Sequence, residues 1–252
     1  MSYWNIIFLI TGIVIVLPYL AVPLVVRAKQ VINRSPDYIE IGQDGLPADV
    51  LQFFNSVSGG LLSLGFAHKA TINIRNFAPG QNTFFQVYYH QEDKNAAVIT
   101  NMLQEMPGTE GQHTRYIEFN TVFENGLELS VTNNKLIRPP GFCTDKIIIH
   151  IPDYSGMDRL YRLHKDLKLF YGKGSPCRLP DEGQIISEIK RTLLKELECS
   201  VKSGFQYLDK STNQYRPTLK GAYMTTWYQL WPVGSIKLAL LKRKARKLIK
   251  LA

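Results

Sequence analysis

No charged residue lies between Trp4 and Val26, no acidic residue lies between Ser235 and Ala252, and no CxxC, HxH or HExxH spacing occurs anywhere in the 252 residues. The last absence removes the usual zinc and dithiol redox motifs from consideration. Cys143, Cys177 and Cys199 are odd in number and far apart. Free thiols in a reducing compartment are therefore expected, rather than a disulfide framework or a zinc site. Phosphate-binding loops are missing too. Ser155-Gly156 and Gly172-Lys173-Gly174-Ser175 lack the full GxxxxGK[ST] or GxGxxG pattern and read as turns. Cys143 follows Pro139-Pro140-Gly141 in an expected loop and has no cysteine-protease signature around it, so it reads as a loop thiol.

The uncharged run from Trp4 to Val26 is long enough, at about 1.5 Å per helical residue, to cross a hydrocarbon layer of about 30 Å. Pro18 and Pro23 would break a helix in water but are tolerated in membrane helices, where neighbouring groups satisfy the freed carbonyls. A cleaved signal peptide is the competing reading. The leader MSYWN carries no basic residue, however, and the apolar run is longer than a signal core. Arg27, Lys29 and Arg34 follow the run and nothing basic precedes it, which predicts a single-pass membrane protein with its N-terminus outside and the bulk of the chain cytoplasmic.

The formal charge is +9, and the seven cations Lys237, Lys242, Arg243, Lys244, Arg246, Lys247 and Lys250 fall in the tail; removing these seven leaves +2. The basicity is local, which disfavours nucleic acid as a partner of the folded body. Tyr223, Trp227 and Trp231 recur every four residues ahead of the tail, and aromatic side chains with polar tips suit a headgroup zone. Leu238, Leu241, Ala245, Leu248, Ile249 and Ala252 form an apolar helical stripe beside the cations. That combination predicts an interfacial helix on anionic inner-leaflet lipids. The bland alternatives are a packed terminal helix and an RNA-binding tail.

Between these ends the pattern predicts an α+β body. After an anchor over 1–28 and a linker over 29–46, residues 47–221 form the domain and 222–252 the interfacial segment. The expected stripe of the first body helix is Leu51, Phe54, Val57, Leu61, Leu62 and Leu64, with Gly59-Gly60 marking a close packing contact. Period-two alternation then predicts about five to six antiparallel strands. Ile72 and Ile74, then Phe85, Val87 and Tyr89, then Ala96 to Leu103, then Ile117, Phe119 and Phe123 mark four of them. The Asn125-Gly126 turn leads into Leu127, Leu129 and Val131, and Ile147, Ile149 and Ile151 close the series. One face of the sheet is expected to be apolar and covered by about three helices, the other polar. Leu160, Leu163, Leu167 and Phe170 mark a second helix and Ile186, Ile189, Leu193, Leu197 and Val201 a third. A short hairpin spans Phe205 to Arg216.

No cofactor or metal site is signalled. The candidate polar patch joins His90, Glu118 and His150 on the polar strand face, where they would suit acid/base work or a ligand. The leading functional expectation is a non-catalytic accessory or assembly subunit docking on a membrane complex. The alternative is a membrane-surface enzyme or a lipid- or small-ligand-binding module that uses the polar sheet face. An open flat face favours the first and a concave pocket the second.

Overall fold

A computed structural model describes residues 3–105, 111–135, 143–152 and 156–251, with the backbone alone at residue 4, residues 6–15 and residues 248–251. The chain opens with α1 (Tyr3–Lys29). Two short strands, β1 (Ile32–Asn33) and β2 (Asp37–Glu40), occupy the segment expected to be a linker. Next come α2 (Ala48–Ser63), β3 (Ala67–Arg75), β4 (Gln81–His90), β5 (Asn95–Gln104), β6 (Gln112–Phe123), β7 (Glu128–Thr132) and β8 (Lys146–His150). The remainder is α3 (Met157–Gly172), β9 (Cys177–Arg178), α4 (Ile185–Lys202), β10 (Gln206–Asp209), β11 (Gln214–Pro217), α5 (Leu219–Gln229) and α6 (Val233–Leu251).

The architecture is α+β with a mixed sheet. Strands β2 to β8 lie side by side in chain order, β9 pairs with the end of β6, and a second small sheet runs β1-β11-β10. The turn between β6 and β7 is built on Gly126 at φ +86, where a left-handed backbone suits glycine. An all-antiparallel sheet was the expectation, but β7 and β8 are parallel. The long connection between Thr132 and Lys146 has room to return the chain to the same end of the sheet, which a tight hairpin has not. Pro139, Pro140 and Gly141 of that connection lie outside the described residues.

The one-sided covering also differs from expectation. Cross-strand register puts Tyr88, Ala97, Phe119, Val131 and Ile149 in one row, and Val87, Val98, Glu118, Thr132 and His150 in the adjacent row. Side chains alternate along each strand, so these rows lie on opposite faces. The first face is apolar and is covered by Val50, Phe54 and Leu61 of α2 and Leu160, Leu163 and Leu167 of α3. The second is split. Its β3–β5 part is apolar and packs against Ile185, Ile186, Ile189 and Leu193 of α4 through Ala70, Ile72, Val87 and Tyr89. Its β6–β8 part is polar. The sequence expectation grouped Phe85, Val87 and Tyr89 with Ile117, Phe119 and Leu129; the register separates them.

Gly60 does mark a close approach, because a Cβ there would come within 2.9 Å of the Met157 methyl on α3. Leu62 and Phe170, both expected in buried stripes, are exposed. The inward face of α3 runs instead through Leu160, Tyr161, Leu163, His164 and Leu167.

Candidate functional site

Beneath α4 is a cavity of about 220 Å³ whose floor is the split sheet face. Phe85, Val87, Tyr89, Ala96 and Val98 floor its apolar side, and Glu118, Asn120, Ser130, Thr132 and His150 its polar side. The roof is Ile185, Ile189, Thr192, Leu193 and Glu196 of α4. A second cavity of about 360 Å³ shares Phe85, Tyr116, Leu193 and Glu196 as a wall. It continues to Gln30 and Ile32 after α1 and to Thr225 on α5. The two adjoin across the shared wall of Phe85, Tyr116, Leu193 and Glu196: the first, the groove beneath α4, is polar at its β6–β8 end, and the second is mostly apolar toward the base of α1.

α4 is fastened over this groove along its flank. Cys143, just before β8, is disulfide-bonded to Cys199 of α4 across 56 positions of sequence. The expectation of three free thiols is corrected here, and Cys177 alone is free. Sequence separation hid the pair, since only the parallel return of β8 brings Cys143 beside α4. Lys195 lies 3.1 Å from Glu128 and 2.7 Å from Asp145, Arg191 lies 2.6 Å from Glu188, and Lys146 pairs with Glu196. The Lys195 hydrogen bond holds the Asp145 carboxyl below its ordinary range, and Arg191 does the same for Glu188. Partly exposed ion pairs contribute about 0.2–1 kcal/mol each. A disulfide closing a loop of this length contributes about 4 kcal/mol in the chain-entropy account. α4 is thus held by a covalent bond and ion pairs as well as by the packing of Ile185, Ile186, Ile189 and Leu193 on the β3–β5 face.

Of the three residues proposed from sequence, the structure brings Glu118 and His150 to one site and sends His90 elsewhere. Glu118 and His150 flank Thr132 in adjacent strands. His150 Nδ1 lies 3.3 Å from the Asn134 carbonyl. His90 is on the opposite face, edge-on to Phe66 with ring centroids 5.2 Å apart. Alternation along β4 places His90 with Tyr88 as expected, but the register sets that face beside Phe119 and not beside Glu118.

His90 belongs to a polar network between α3 and the β4–β5 turn that sequence reasoning did not find. The Tyr161 hydroxyl donates to Asp93 at 2.6 Å, Asn95 donates to Tyr161 at 3.2 Å, and the Thr121 hydroxyl donates to Asn95 at 2.8 Å. Burial pushes the Asp93 carboxyl up, but hydrogen bonds from Tyr161 and Lys165 and the nearby cations outweigh it and hold Asp93 below its usual value. Because Thr121 donates to Asn95, it accepts from His164 Nε2 at 3.2 Å. Complete burial, with the Lys168 charge nearby, depresses the His164 pKa to about 3. His164 is fully buried and lines neither of the cavities described above, so the network reads as packing of α3. Among the described residues no His, Cys, Asp and Glu cluster could hold a metal ion.

The terminal segments meet each other. Pro23 has no N–H, so the Tyr19 carbonyl lacks its helical partner. The Trp227 indole donates to that carbonyl at 3.1 Å, and the rings of Tyr19 and Trp227 are 6.4 Å apart. Tyr223 reaches the Leu20 carbonyl at 3.4 Å, and the Tyr19 hydroxyl donates to the Trp231 carbonyl. The aromatic repeat thus clasps α1, with Trp231 still largely exposed. Ala245 is buried against the body and Leu238 and Leu241 are half-buried, so this part of the stripe assigned to lipid turns inward. Ile236, Leu240, Arg243, Lys244, Arg246 and Lys247 face out, while Lys237 sits over the Tyr228 ring. Leu248, Ile249 and Lys250 lack described side chains, and Ala252 lies outside the described residues.

Among the described residues no helix is long and apolar enough to cross a membrane. Most of the expected anchor, Trp4 and residues 6–15, has no described side chains. No family model, curated protein or solved structure matches the chain.

Proposed function

We propose that this protein is a membrane-attached binding module that holds a small amphipathic ligand in the groove between α4 and the sheet. The single observation that carries the reading is the split floor of the groove: Val87 and Val98 continue in register into Glu118, Thr132 and His150. Such a floor complements a molecule with an apolar body and a polar end. The lining of this space of about 220 Å³ offers both apolar surface and polar groups, and water matches only the polar part.

Membrane attachment rests on the uncharged Trp4 to Val26 run and on the outward apolar side chains of α1, among them Val16, Leu17, Leu20, Leu24 and Val25. Outward Arg243, Lys244, Arg246 and Lys247 support a further contact of α6 with anionic lipid. The Cys143–Cys199 bond supports an oxidising compartment for the body, against the cytoplasmic side suggested by Arg27, Lys29 and Arg34. Docking to a membrane protein is a second reading, favoured by Leu169 and Phe170, which are 77% and 70% exposed at the end of α3.

The test uses the full chain held in amphipol and a diazirine-bearing dodecyl alcohol. Light-driven labelling is expected to saturate and to fall on peptides of β5 and α4. Val98→Trp, which fills the floor, is expected to abolish it while leaving the circular dichroism unchanged. Labelling that ignores Val98→Trp would refute the groove as the site.

A further inference from the structure

We infer that Glu118 pairs with a positively charged nitrogen, so that the ligand of the groove is an amphiphilic amine. This deepens the binding reading above and rests on it. Among the described residues four carboxylates line the cavity: Glu118, Glu128, Glu188 and Glu196. Three are already neutralised, Glu128 by Lys195, Glu188 by Arg191 and Glu196 by Lys146. The Glu118 carboxylate has no hydrogen bond or ion pair among the described residues, and its neighbours in the row supply none. Val98 on one side is apolar. Thr132 on the other donates its hydroxyl to the Ile117 carbonyl at 2.9 Å and accepts from the Asn134 N–H at 3.1 Å.

A half-buried carboxylate at the border between apolar and polar floor therefore faces the cavity without a donor. An ammonium group brings three donors and the opposite charge. Beneath α4, where water is partly excluded, their attraction exceeds its value in bulk solvent. An anionic headgroup is disfavoured by the same inventory. The lining cations Lys146 and Arg178 are engaged with Glu196 and Glu188, so a phosphate or carboxylate would meet Glu118 without a free counter-charge. The apolar body of the ligand is accommodated by Phe85, Val87 and Leu193, and by the second cavity, which leads to Ile32 at the base of α1.

Three photo-crosslinking dodecyl probes, an amine, an alcohol and a carboxylic acid, separate the possibilities on the full chain in amphipol. The amine is expected to reach half-maximal labelling of β5 and α4 peptides at about one-tenth the concentration of the alcohol, with the acid weakest. Glu118→Gln is expected to bring the roughly tenfold preference for the amine over the alcohol down to about one. Because Glu118 supports no other side chain, the variant should unfold at the native temperature. The amine-to-alcohol ratio on the native chain needs no variant at all. Equal affinity for amine and alcohol, or an amine indifferent to Glu118→Gln, overturns the assignment of Glu118 while leaving the groove intact. Failure of all three probes to label in a Val98→Trp-sensitive way overturns the groove as well.

Discussion

His164 and two glycines show how much a single position decides. The His164 ring is neutral in the fold, with Nε2–H bonded to Thr121 and Nδ1 without a partner among the described residues. Its pKa falls from 6.5 to about 3 on folding. The unfolded chain therefore binds the proton first as pH drops. Stability from His164 is complete above pH 6.5 and is lost as pH falls toward 3, at up to about 1.4 kcal/mol per pH unit. Urea unfolding between pH 7 and about 5, a window above most carboxylate titration, should show this slope, flattened in His164→Gln; His68, also lowered by burial, adds a smaller part of the same sign. An unchanged slope in the variant would refute the buried neutral ring. Gly59 and Gly221 predict opposite signs. A Cβ on Gly59 meets nothing within 4 Å in mid-helix, so Gly59→Ala should raise stability by about 1 kcal/mol. A Cβ on Gly221 would lie 1.9 Å from the Phe205 carbonyl oxygen, a backbone atom that cannot step aside. Gly221→Ala should cost about 1–3 kcal/mol, as overpacking does, and lower the melting temperature.

α4 is the element on which the site depends. Its amphipathic spacing was legible, as were α2, α3, the β10–β11 hairpin and the strands β3 to β8. What periodicity could not say was which face of the sheet each apolar set would meet. Phe84-Phe85, Tyr88-Tyr89 and Val98-Ile99 are adjacent apolar pairs, the mark of strands buried on both sides, and they were the available signal that a helix would cover the second face. Facing is a matter of pairing between strands, and the placement of His90 beside Phe119 shows that alternation along one strand does not fix it. Glu118 and His150 were correctly grouped because both are on β6–β8, where the polar half is continuous. The clamp on α4 was illegible for a different reason: Cys143 and Cys199 are brought together only by the parallel β8. Non-reducing thiol counting on the native chain should find one reactive cysteine, Cys177. Reduction should lower stability by about 4 kcal/mol and loosen α4 first, read as faster amide exchange over residues 185–202. Three reactive thiols before reduction would remove the clamp.

At the scale of the molecule, the two ends of the chain are brought to one place. Ile32 and Asn33 pair with Tyr215 and Gln214, α5 lies on α1, and α6 returns to the body at Ala245. The sequence marked both ends as bilayer-seeking. It did not reveal that the aromatic repeat would be used on α1, because the need it meets, the Tyr19 carbonyl orphaned by Pro23, arises only once the helix forms. The consequence concerns bearing and height. A helix held by a single flexible linker can spin about its long axis and leave its cargo domain pointing anywhere. Here the Trp227 indole fits one carbonyl on one side of α1, as a key fits one slot, so the body has a single rotational setting relative to that helix. With α1 set in a bilayer, the second cavity beside Gln30 and Ile32 would stand at a fixed depth and a fixed compass direction, and an amphiphile leaving the membrane would meet the same surface on every approach.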